Sequence, residues 1–168
     1  MTAVTEVDGE LVEILDVERI LNEISPVSTE VSAELVEASV ERNPHGRPVL
    51  VADDSSVARK QVQRALEAIG VQCVLAKDGR EALNMLLEMA KQGPILDQIA
   101  LVISDIEMPE MDGYTFTAEI RNNPNLKDLH VILHTSLSGV FNQAMVQKVG
   151  ANNFIAKFQP DELAKAVQ

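Results

Sequence analysis

The sequence is poor in aromatic residues, cysteine and basic charge. It has no tryptophan, one tyrosine and a net charge of −12. Binding to nucleic acid usually needs clustered Lys and Arg together with aromatic rings for base stacking, so we expect no nucleic-acid partner. Cys73 is the single cysteine. This excludes a disulfide framework and a multi-cysteine zinc site within one chain.

Long apolar stretches are also lacking. None approaches the roughly 18–20 residues that a membrane-spanning helix needs. The first residues are acidic rather than basic, unlike the start of a secretory signal peptide. We therefore expect a cytoplasmic protein with no membrane insertion.

Acidic charge is concentrated near the N-terminus. Residues 1–46 carry 11 acidic and 2 basic residues, whereas residues 47–168 carry 15 and 12. The turn-forming sequence Asn43-Pro44-His45-Gly46 lies at the change. We predict a small element at residues 1–24, a linker with one weak helix at most at residues 25–46, and one domain at residues 47–168.

The small N-terminal element is predicted to contain one strand and one helix. Residues 1–8 resemble a loose terminus, and residues 10–15 have the pattern of a strand. Asp16 is placed as the N-cap of a helix that ends near residue 24. Such a pair is too small to fold alone. A lone strand leaves an unpaired edge, which favours a weak homodimer.

From residue 48 onward, apolar strands alternate with amphipathic helices. The predicted strands are residues 49–52, 72–76, 99–104, 130–134 and 153–156. The helices that follow them begin at Ser55, Asp78, Asp112, Ser138 and Pro160. Five strands alternating with five helices predict an α/β fold, a doubly wound parallel sheet with right-handed crossovers.

Polar side chains follow four of the predicted strands. In chain order they are Asp53 and Asp54, Asp105, Thr135 and Ser136, and Lys157. The carboxyl ends of parallel strands share one edge, where open α/β sheets bind ligands. Three carboxylates at close range need a cation, and Mg²⁺ binds such oxygens together with phosphate. We therefore predict a Mg²⁺ and phosphoryl site in which a carboxylate is the nucleophile.

Taken singly, these residues have simpler interpretations. Asp53-Asp54 alone is more often a helix cap with a solvated neighbour, and Lys157 alone is most often a surface lysine at a strand end. Their joint occurrence at the ends of successive strands favours a functional site. His130 and His134 flank the fourth strand, but no third histidine or cysteine accompanies them, so we predict no zinc site.

The set Asp53-Asp54, Asp105-x-x-Met108-Pro109-x-Met111-Asp112-Gly113, Thr135 and Lys157 resembles the receiver domain of two-component response regulators over residues 47–168. The resemblance implies a flavodoxin-like, CheY-like sheet with strand order 2-1-3-4-5. By the same resemblance, a histidine kinase would phosphorylate Asp105. The Mg²⁺ ligands would be Asp54, Asp105, the backbone carbonyl of Glu107 and, through water, Asp53. The phosphoryl-binding and switch residues would be Thr135, Ser136, Lys157 and Phe154.

Three positions depart from the family pattern. Phe158 follows Lys157, where receivers usually have proline. Phe154, at the aromatic switch position, lacks a phenol hydroxyl, so any coupling to Thr135 would be through side-chain contact. Glu107 and Leu137 occupy positions that modulate phosphoryl lifetime in the family. We hypothesise that they hinder the attacking water; unchanged decay of the phosphorylated form in Glu107→Asn would contradict this for Glu107.

Residues 8–21 resemble the closing strand and helix of a CheW-like coupling domain. A coupling domain followed by a receiver is the layout of the CheV family of chemotaxis proteins. The resemblance implies a chain that carries only the end of its coupling domain. It also implies a chemotaxis-type histidine kinase and chemoreceptors or coupling proteins as partners. By this resemblance, the protein would modulate receptor–kinase coupling or act as a phosphate sink.

Three other functions remain open at this stage. A Mg²⁺-dependent phosphatase with an aspartate nucleophile often has a second acid two residues on, as Glu107 follows Asp105, but it also needs a cap insert and a later acidic loop. A transcriptional regulator would need a DNA-binding domain and positive charge. A docking or dimerisation module would never be phosphorylated. We expect a phosphoacceptor that is not an enzyme.

Overall fold

A computed structural model describes residues 3–7, 10–14, 46–135, 140–157 and 159–167. In chain order the elements are β1 (Ala3–Val7), β2 (Glu10–Ile14), β3 (Val49–Ala52), α1 (Ser56–Ala68), β4 (Cys73–Ala76), α2 (Gly79–Gln92), α3 (Ile95–Gln98), β5 (Val102–Ser104), α4 (Gly113–Asn122), β6 (Val131–Thr135), α5 (Val140–Val149), β7 (Asn153–Ala156) and α6 (Pro160–Val167). No helix among these residues is long and apolar enough to cross a membrane.

The last five strands form one parallel sheet in the order β4-β3-β5-β6-β7. Counted among those five, this is the predicted order 2-1-3-4-5, so the predicted fold is confirmed. The three central strands are buried along their whole length. Helices on both faces of a parallel sheet cover such strands, which explains their continuous apolar sequences.

Two apolar clusters cover the two faces of the sheet. Alternate residues of β3 divide between them, because successive side chains of a strand point to opposite faces. Leu50 contributes to the cluster that contains α2 and α4, and Val51 to the cluster that contains α1 and α6. A smaller third cluster joins Ile106, Leu133 and Val146. These clusters pack helices against both faces of the sheet and so fix the position of the strand ends at its carboxyl edge.

Side-chain caps begin three of the helices soon after a strand. The Ser55 hydroxyl accepts a hydrogen bond from the backbone N–H of Ala58 at 3.3 Å. Asp78 and Asp112 accept equivalent bonds at 2.8 and 2.9 Å. The predicted caps Ser55 and Asp78 and the predicted helix start at Asp112 are therefore confirmed, and each sets where the chain leaves the sheet edge. Ser138, the predicted start of the fourth helix, lies outside the described residues.

Helix α3 was not predicted. This single turn, Ile95–Gln98, follows Pro94, so β5 begins at Val102 rather than at residue 99. The side-chain amide of Gln98 donates hydrogen bonds to the carbonyls of Met89 and Gly93 at 2.9 and 3.0 Å. A helix of four residues is too short to show a helical period in the sequence.

The prediction of a loose terminus before a lone strand was wrong. β1 pairs with β2 in an antiparallel hairpin, with Ala3 opposite Ile14 and Val7 opposite Glu10. Asp8-Gly9, which separates the strands in the sequence, is the residue pair that favours two-residue hairpin turns, and this signal was overlooked. Because β2 is paired, the lone-strand argument for a dimer is lost. The predicted helix after Asp16 and residues 25–45 of the predicted linker lie outside the described residues.

Candidate functional site

Asp105 is the first residue after β5 and is held firmly at the sheet edge. Its backbone N–H donates a hydrogen bond to the carbonyl of Ala52 at 2.8 Å. Its side-chain Oδ1 accepts one from the N–H of Ile106 at 2.7 Å, and Oδ2 accepts one from Nζ of Lys157 at 2.8 Å. Only 5% of the residue is exposed. The carboxylate therefore has one defined orientation.

Lys157, directly after β7, connects two carboxylates. Its backbone N–H donates to the carbonyl of Thr135 at 2.9 Å, which ties it to the neighbouring strand. Nζ lies 3.0 Å from Oδ2 of Asp53 in addition to its contact with Asp105. Burial opposes the charge of the ammonium group, but the attraction of Asp53 and Asp105 outweighs burial and raises the pKa of Lys157. Lys157 therefore stays charged at neutral pH.

Three aspartates converge at this edge. Asp53, Asp54 and Asp105 can each direct one carboxylate oxygen so that all three lie within 4.8 Å of one another. Asp53 is buried, whereas Asp54 is exposed. Burial raises the pKa of Asp53; the attraction of Lys157 opposes this increase, and the repulsion of Asp105 adds to it. The prediction that Asp53, Asp54 and Asp105 lie together is confirmed.

One buried oxygen of this cluster lacks a hydrogen bond. Oδ1 of Asp53 accepts from the backbone N–H of Ser55 at 2.8 Å. Oδ2 accepts no hydrogen bond within the described part of the chain, and its ion pair with Lys157 lacks hydrogen-bond geometry. Three carboxylates beside one lysine leave negative charge in excess. The donor set fits a hard divalent cation such as Mg²⁺, which prefers carboxylate oxygens.

The loop between β5 and α4 forms one wall of the site. The N–H of Gly113 donates to the carbonyl of Ile106 at 2.9 Å. A Cβ at Gly113 would lie 2.1 Å from the carbonyl oxygen of Asp105, so only glycine fits there. The side chain of Glu107 is exposed within this loop. The role of its carbonyl as a metal ligand stays a prediction.

The remaining predicted residues lie on β6 and β7 or beyond the described residues. Thr135 is buried at the end of β6, one strand away from Asp105. Phe154 is half-buried and contacts the cluster of Ile106, Leu133 and Val146. This cluster includes the residue that follows Asp105. Ser136, Leu137 and Phe158 lie outside the described residues, so their predicted roles stay untested.

Two neighbours of the site were not predicted to lie there. The Arg59 guanidinium, in the first turn of α1, donates a hydrogen bond to the backbone carbonyl of Asp53 at 2.5 Å. His134 is buried in β6, and burial together with the nearby Lys157 lowers its pKa to about 4. Arg59 lies six residues after Asp53, within reach once Ser55 caps α1. The apolar residues 131–133 before His134 indicated a buried strand.

The fold and site define a doubly wound α/β domain with an acidic cluster and a buried lysine at the carboxyl edge of its sheet. The profile of the response regulator receiver domain matches residues 49–168. The chain therefore belongs to the response regulator receiver domain family, as its motifs predicted.

Curated relatives include chemotaxis and signalling proteins. The chain is 29% identical to chemotaxis protein CheV1 of Helicobacter pylori over 162 residues, covering 96% of this chain and 49% of the relative. It is 31% identical to protein PilG of Pseudomonas aeruginosa, covering 77% of this chain and 90% of the relative. The chain spans about half the length of the first two CheV relatives, at 49% each.

Solved structures give the same family. Chemotaxis protein CheY4 of Vibrio cholerae is 30% identical, with a TM-score of 0.62 over 73% of this chain and 96% of that chain. The signal receiver domain of a histidine kinase from Syntrophus aciditrophicus is 33% identical, with a TM-score of 0.62 over 72% and 86%. These similarities agree with the fold observed for residues 49–168.

Proposed function

We propose that Asp105 accepts a phosphoryl group from a histidine kinase. The observation that carries this proposal is the position of its carboxylate, 2.8 Å from Nζ of Lys157 and beside the carboxylates of Asp53 and Asp54. A nucleophilic carboxylate needs a defined orientation and nearby positive charge to receive a phosphoryl group. Receiver domains are phosphoacceptors as a family, which gives the proposal its prior support.

The chemistry is a single phosphoryl transfer. An Oδ atom of Asp105 attacks phosphorus, the new O–P bond forms, and the bond from phosphorus to the donor imidazole nitrogen breaks. The imidazole keeps the bonding electron pair and takes a proton from solvent. Lys157, which holds Oδ2 before transfer, then pairs with an oxygen of the bound phosphoryl group. The hydroxyls of Thr135 and Ser136 would donate hydrogen bonds to the remaining oxygens.

Mg²⁺ is the proposed cofactor. Its ligands would be Asp54, Asp105, the carbonyl of Glu107 and, through water, Asp53. The bound ion would supply positive charge to the transferring phosphoryl oxygens. The convergence of three carboxylates, of which Asp53 and Asp105 share the single ammonium group of Lys157, supports a cation in this place.

A chemotaxis setting is the proposed biological context. The alignment with CheV1 covers 162 residues, more than the 120 residues from 49 to 168, so it extends toward the N-terminus of this chain. This extent supports the proposal that residues 1–24 belong to a CheW-like coupling domain. Phosphorylation of Asp105 would modulate receptor–kinase coupling or drain phosphate from the kinase, in the cytoplasm. Phe154 would report the phosphorylated state to a partner through the cluster of Ile106, Leu133 and Val146.

Mass spectrometry after incubation with acetyl phosphate and Mg²⁺ tests the central proposal. We expect the wild-type chain to gain one phosphoryl group and Asp105→Asn to gain none. Asp97→Asn is the matched control, because Asp97 is exposed on α3 at the opposite, amino end of the sheet. Absence of phosphate on the wild type, or its presence on Asp105→Asn, would contradict the proposal. Sustained release of phosphate from a phosphate monoester would favour the phosphatase alternative.

A further inference from the structure

The phosphoacceptor loop, residues 105–113, is held at both of its ends. At the end near α4, Gly113 closes the loop on itself, because its N–H donates to the carbonyl of Ile106 and its α-carbon lies against the carbonyl of Asp105. This contact determines where the loop returns to α4. The contacts of Gly113 are with Asp105 and Ile106, so they do not hold the outer half of the loop, from Pro109 to Met111.

The outer half of the loop has a constrained backbone. Glu110 has a φ of +62°, the left-handed region that non-glycine residues rarely adopt. The N–H of Met111 donates to the carbonyl of Pro109 at 2.6 Å. Together these features turn the carbonyl of Met111 away from the loop and toward the beginning of α2. A backbone in this conformation persists only where its surroundings hold it.

Gly79, the first residue of α2, supplies that support. Its N–H donates a hydrogen bond to the carbonyl of Met111 at 3.2 Å. A Cβ at this position would lie 2.6 Å from that carbonyl oxygen, 3.0 Å from Cγ of Met111 and 3.1 Å from Cβ of Phe116. The shortest of these distances is to backbone, which cannot move aside as a side-chain end can. The close approach of α2 to the loop therefore requires glycine at residue 79.

Helix α2 is firmly anchored where it meets the loop. Asp78 caps its first turn by accepting the N–H of Glu81 at 2.8 Å. Ala82 and Leu86 of the same helix are fully buried in the larger apolar cluster. A side chain added at Gly79 would press directly on Met111, which is buried in the same cluster, and would shift the loop that carries it. Glu107, the predicted carbonyl ligand of Mg²⁺, is four residues from Met111 in that loop.

We propose that Gly79 is a positioning residue that sets the Mg²⁺ affinity of the phosphoacceptor loop through the carbonyl of Met111. The proposal rests on the proposed function, because it assumes that Mg²⁺ binds beside Asp105. Beyond the proposed function, it states that α2 affects Mg²⁺ affinity, although this helix contributes none of the predicted metal ligands. Contacts that orient metal ligands commonly change metal affinity by about 10- to 100-fold when lost.

Isothermal titration calorimetry of Mg²⁺ into the full chain tests this role without any phosphoryl transfer. We expect Gly79→Ala to raise the dissociation constant about tenfold. Gly93→Ala is the matched control, since it lies at the other end of α2, where the nearest atom to an added Cβ is 3.8 Å away. We expect it to bind Mg²⁺ as the wild type does. Equal affinity in the two variants would overturn the proposal.

A second pair of variants covers the case in which Gly79→Ala does not fold. Asp78→Ala removes the cap that holds the first turn of α2, whereas Asp78→Asn keeps a capping side chain, and both remove the same charge. We expect weaker Mg²⁺ binding in Asp78→Ala alone. Equal binding by the two would also overturn the proposal. Failure of the wild type to bind Mg²⁺ would instead contradict the proposed function.

Discussion

The two edges of the parallel sheet differ in the charged groups that they hold and in the partners of those groups. At the carboxyl edge, three carboxylates meet one ammonium group, Lys157. At the amino edge, the Arg121 guanidinium donates to the carbonyls of Gly150, Lys127 and Leu129 at 2.7, 3.0 and 2.8 Å. It also donates to the Oδ1 atom of Asn152 at 2.7 Å. The first edge has unbalanced buried charge, and the second has a cation surrounded by neutral acceptors.

The difference separates a binding site from a structural clamp. Each acceptor of Arg121 lies in the backbone or in the side chain of Asn152, which the N–H of Val131 holds, so the group joins α4 to the loops before β6 and β7. At the other edge, Oδ2 of Asp53 is buried without a hydrogen bond in the described residues. The excess of carboxylates destabilises the fold, and a bound cation can offset this cost. Four variants test this contrast.

The largest effect is expected at Lys157. Lys157→Met leaves Asp53 and Asp105 buried without their shared cation, which should lower the free energy of unfolding by roughly 3–5 kcal/mol at pH 7. Lys91→Met is the control, because Lys91 pairs with Glu88 on an exposed helix face and such pairs contribute little. Urea denaturation measures both. Similar losses in the two variants would mean that the carboxyl edge does not depend on this cation.

The next effect concerns His134 within β6, compared with His130 just before that strand. Burial lowers the pKa of His134 from 6.5 to about 4, so the folded state binds this proton more weakly than the unfolded state. The contribution of His134 to the free energy of unfolding is therefore largest above pH 6.5, where the imidazole is neutral in both states. As the pH falls toward 4, the unfolded state binds a proton first and about 3 kcal/mol of this free energy is lost.

We therefore expect His134→Gln to reduce the loss of stability between pH 7 and pH 4.5, measured by urea denaturation at each pH. His130→Gln is the control, because His130 is exposed just before this strand and burial lowers its pKa less than that of His134. If both variants keep the full acid sensitivity of the wild type, other groups must cause it.

An intermediate effect is expected at the amino edge. Arg121→Ala removes four hydrogen bonds from a charged donor and should lower the free energy of unfolding by about 2 kcal/mol. Phosphorylation by acetyl phosphate should be unchanged, since the clamp lies at the edge opposite Asp105. Arg64→Ala, on the exposed face of α1, controls for loss of a surface arginine. A strong fall in phosphorylation of Arg121→Ala would show that the two edges are coupled.

The smallest effect, and one of opposite sign, is expected at Asp53. Burial raises the pKa of Asp53, so its ionised form lowers the free energy of unfolding at neutral pH. The wild type regains this free energy as the pH falls and Asp53 takes up a proton. Without Mg²⁺, Asp53→Asn should raise the free energy of unfolding at pH 7 by less than Arg121→Ala lowers it, because the attraction of Lys157 offsets part of the burial cost. Added Mg²⁺ should stabilise the wild type more than the variant. Destabilisation without Mg²⁺ would argue that the Lys157 pair outweighs the burial cost.

Much of the fold and site follows from local sequence pattern. The alternating strands and helices, the caps at Ser55, Asp78 and Asp112, and the polar residues after each strand could all be read from near neighbours in the chain. The convergence of Asp53, Asp54 and Asp105 followed from the rule that parallel strands end at one edge. The one-turn helix α3 is too short to produce a periodic signal.

By itself the sequence determined the strand order, through the family motifs, and the residues that stand at the sheet edge. The tertiary structure alone decided which of them are buried and which atoms meet. The hydrogen bond from Lys157 to Asp105 joins residues 52 positions apart, and Gly79 meets Met111 through backbone atoms. Local pattern depends on a residue's own side chain and its near neighbours. Such contacts instead depend on how distant strands and helices pack, which only the folded structure determines.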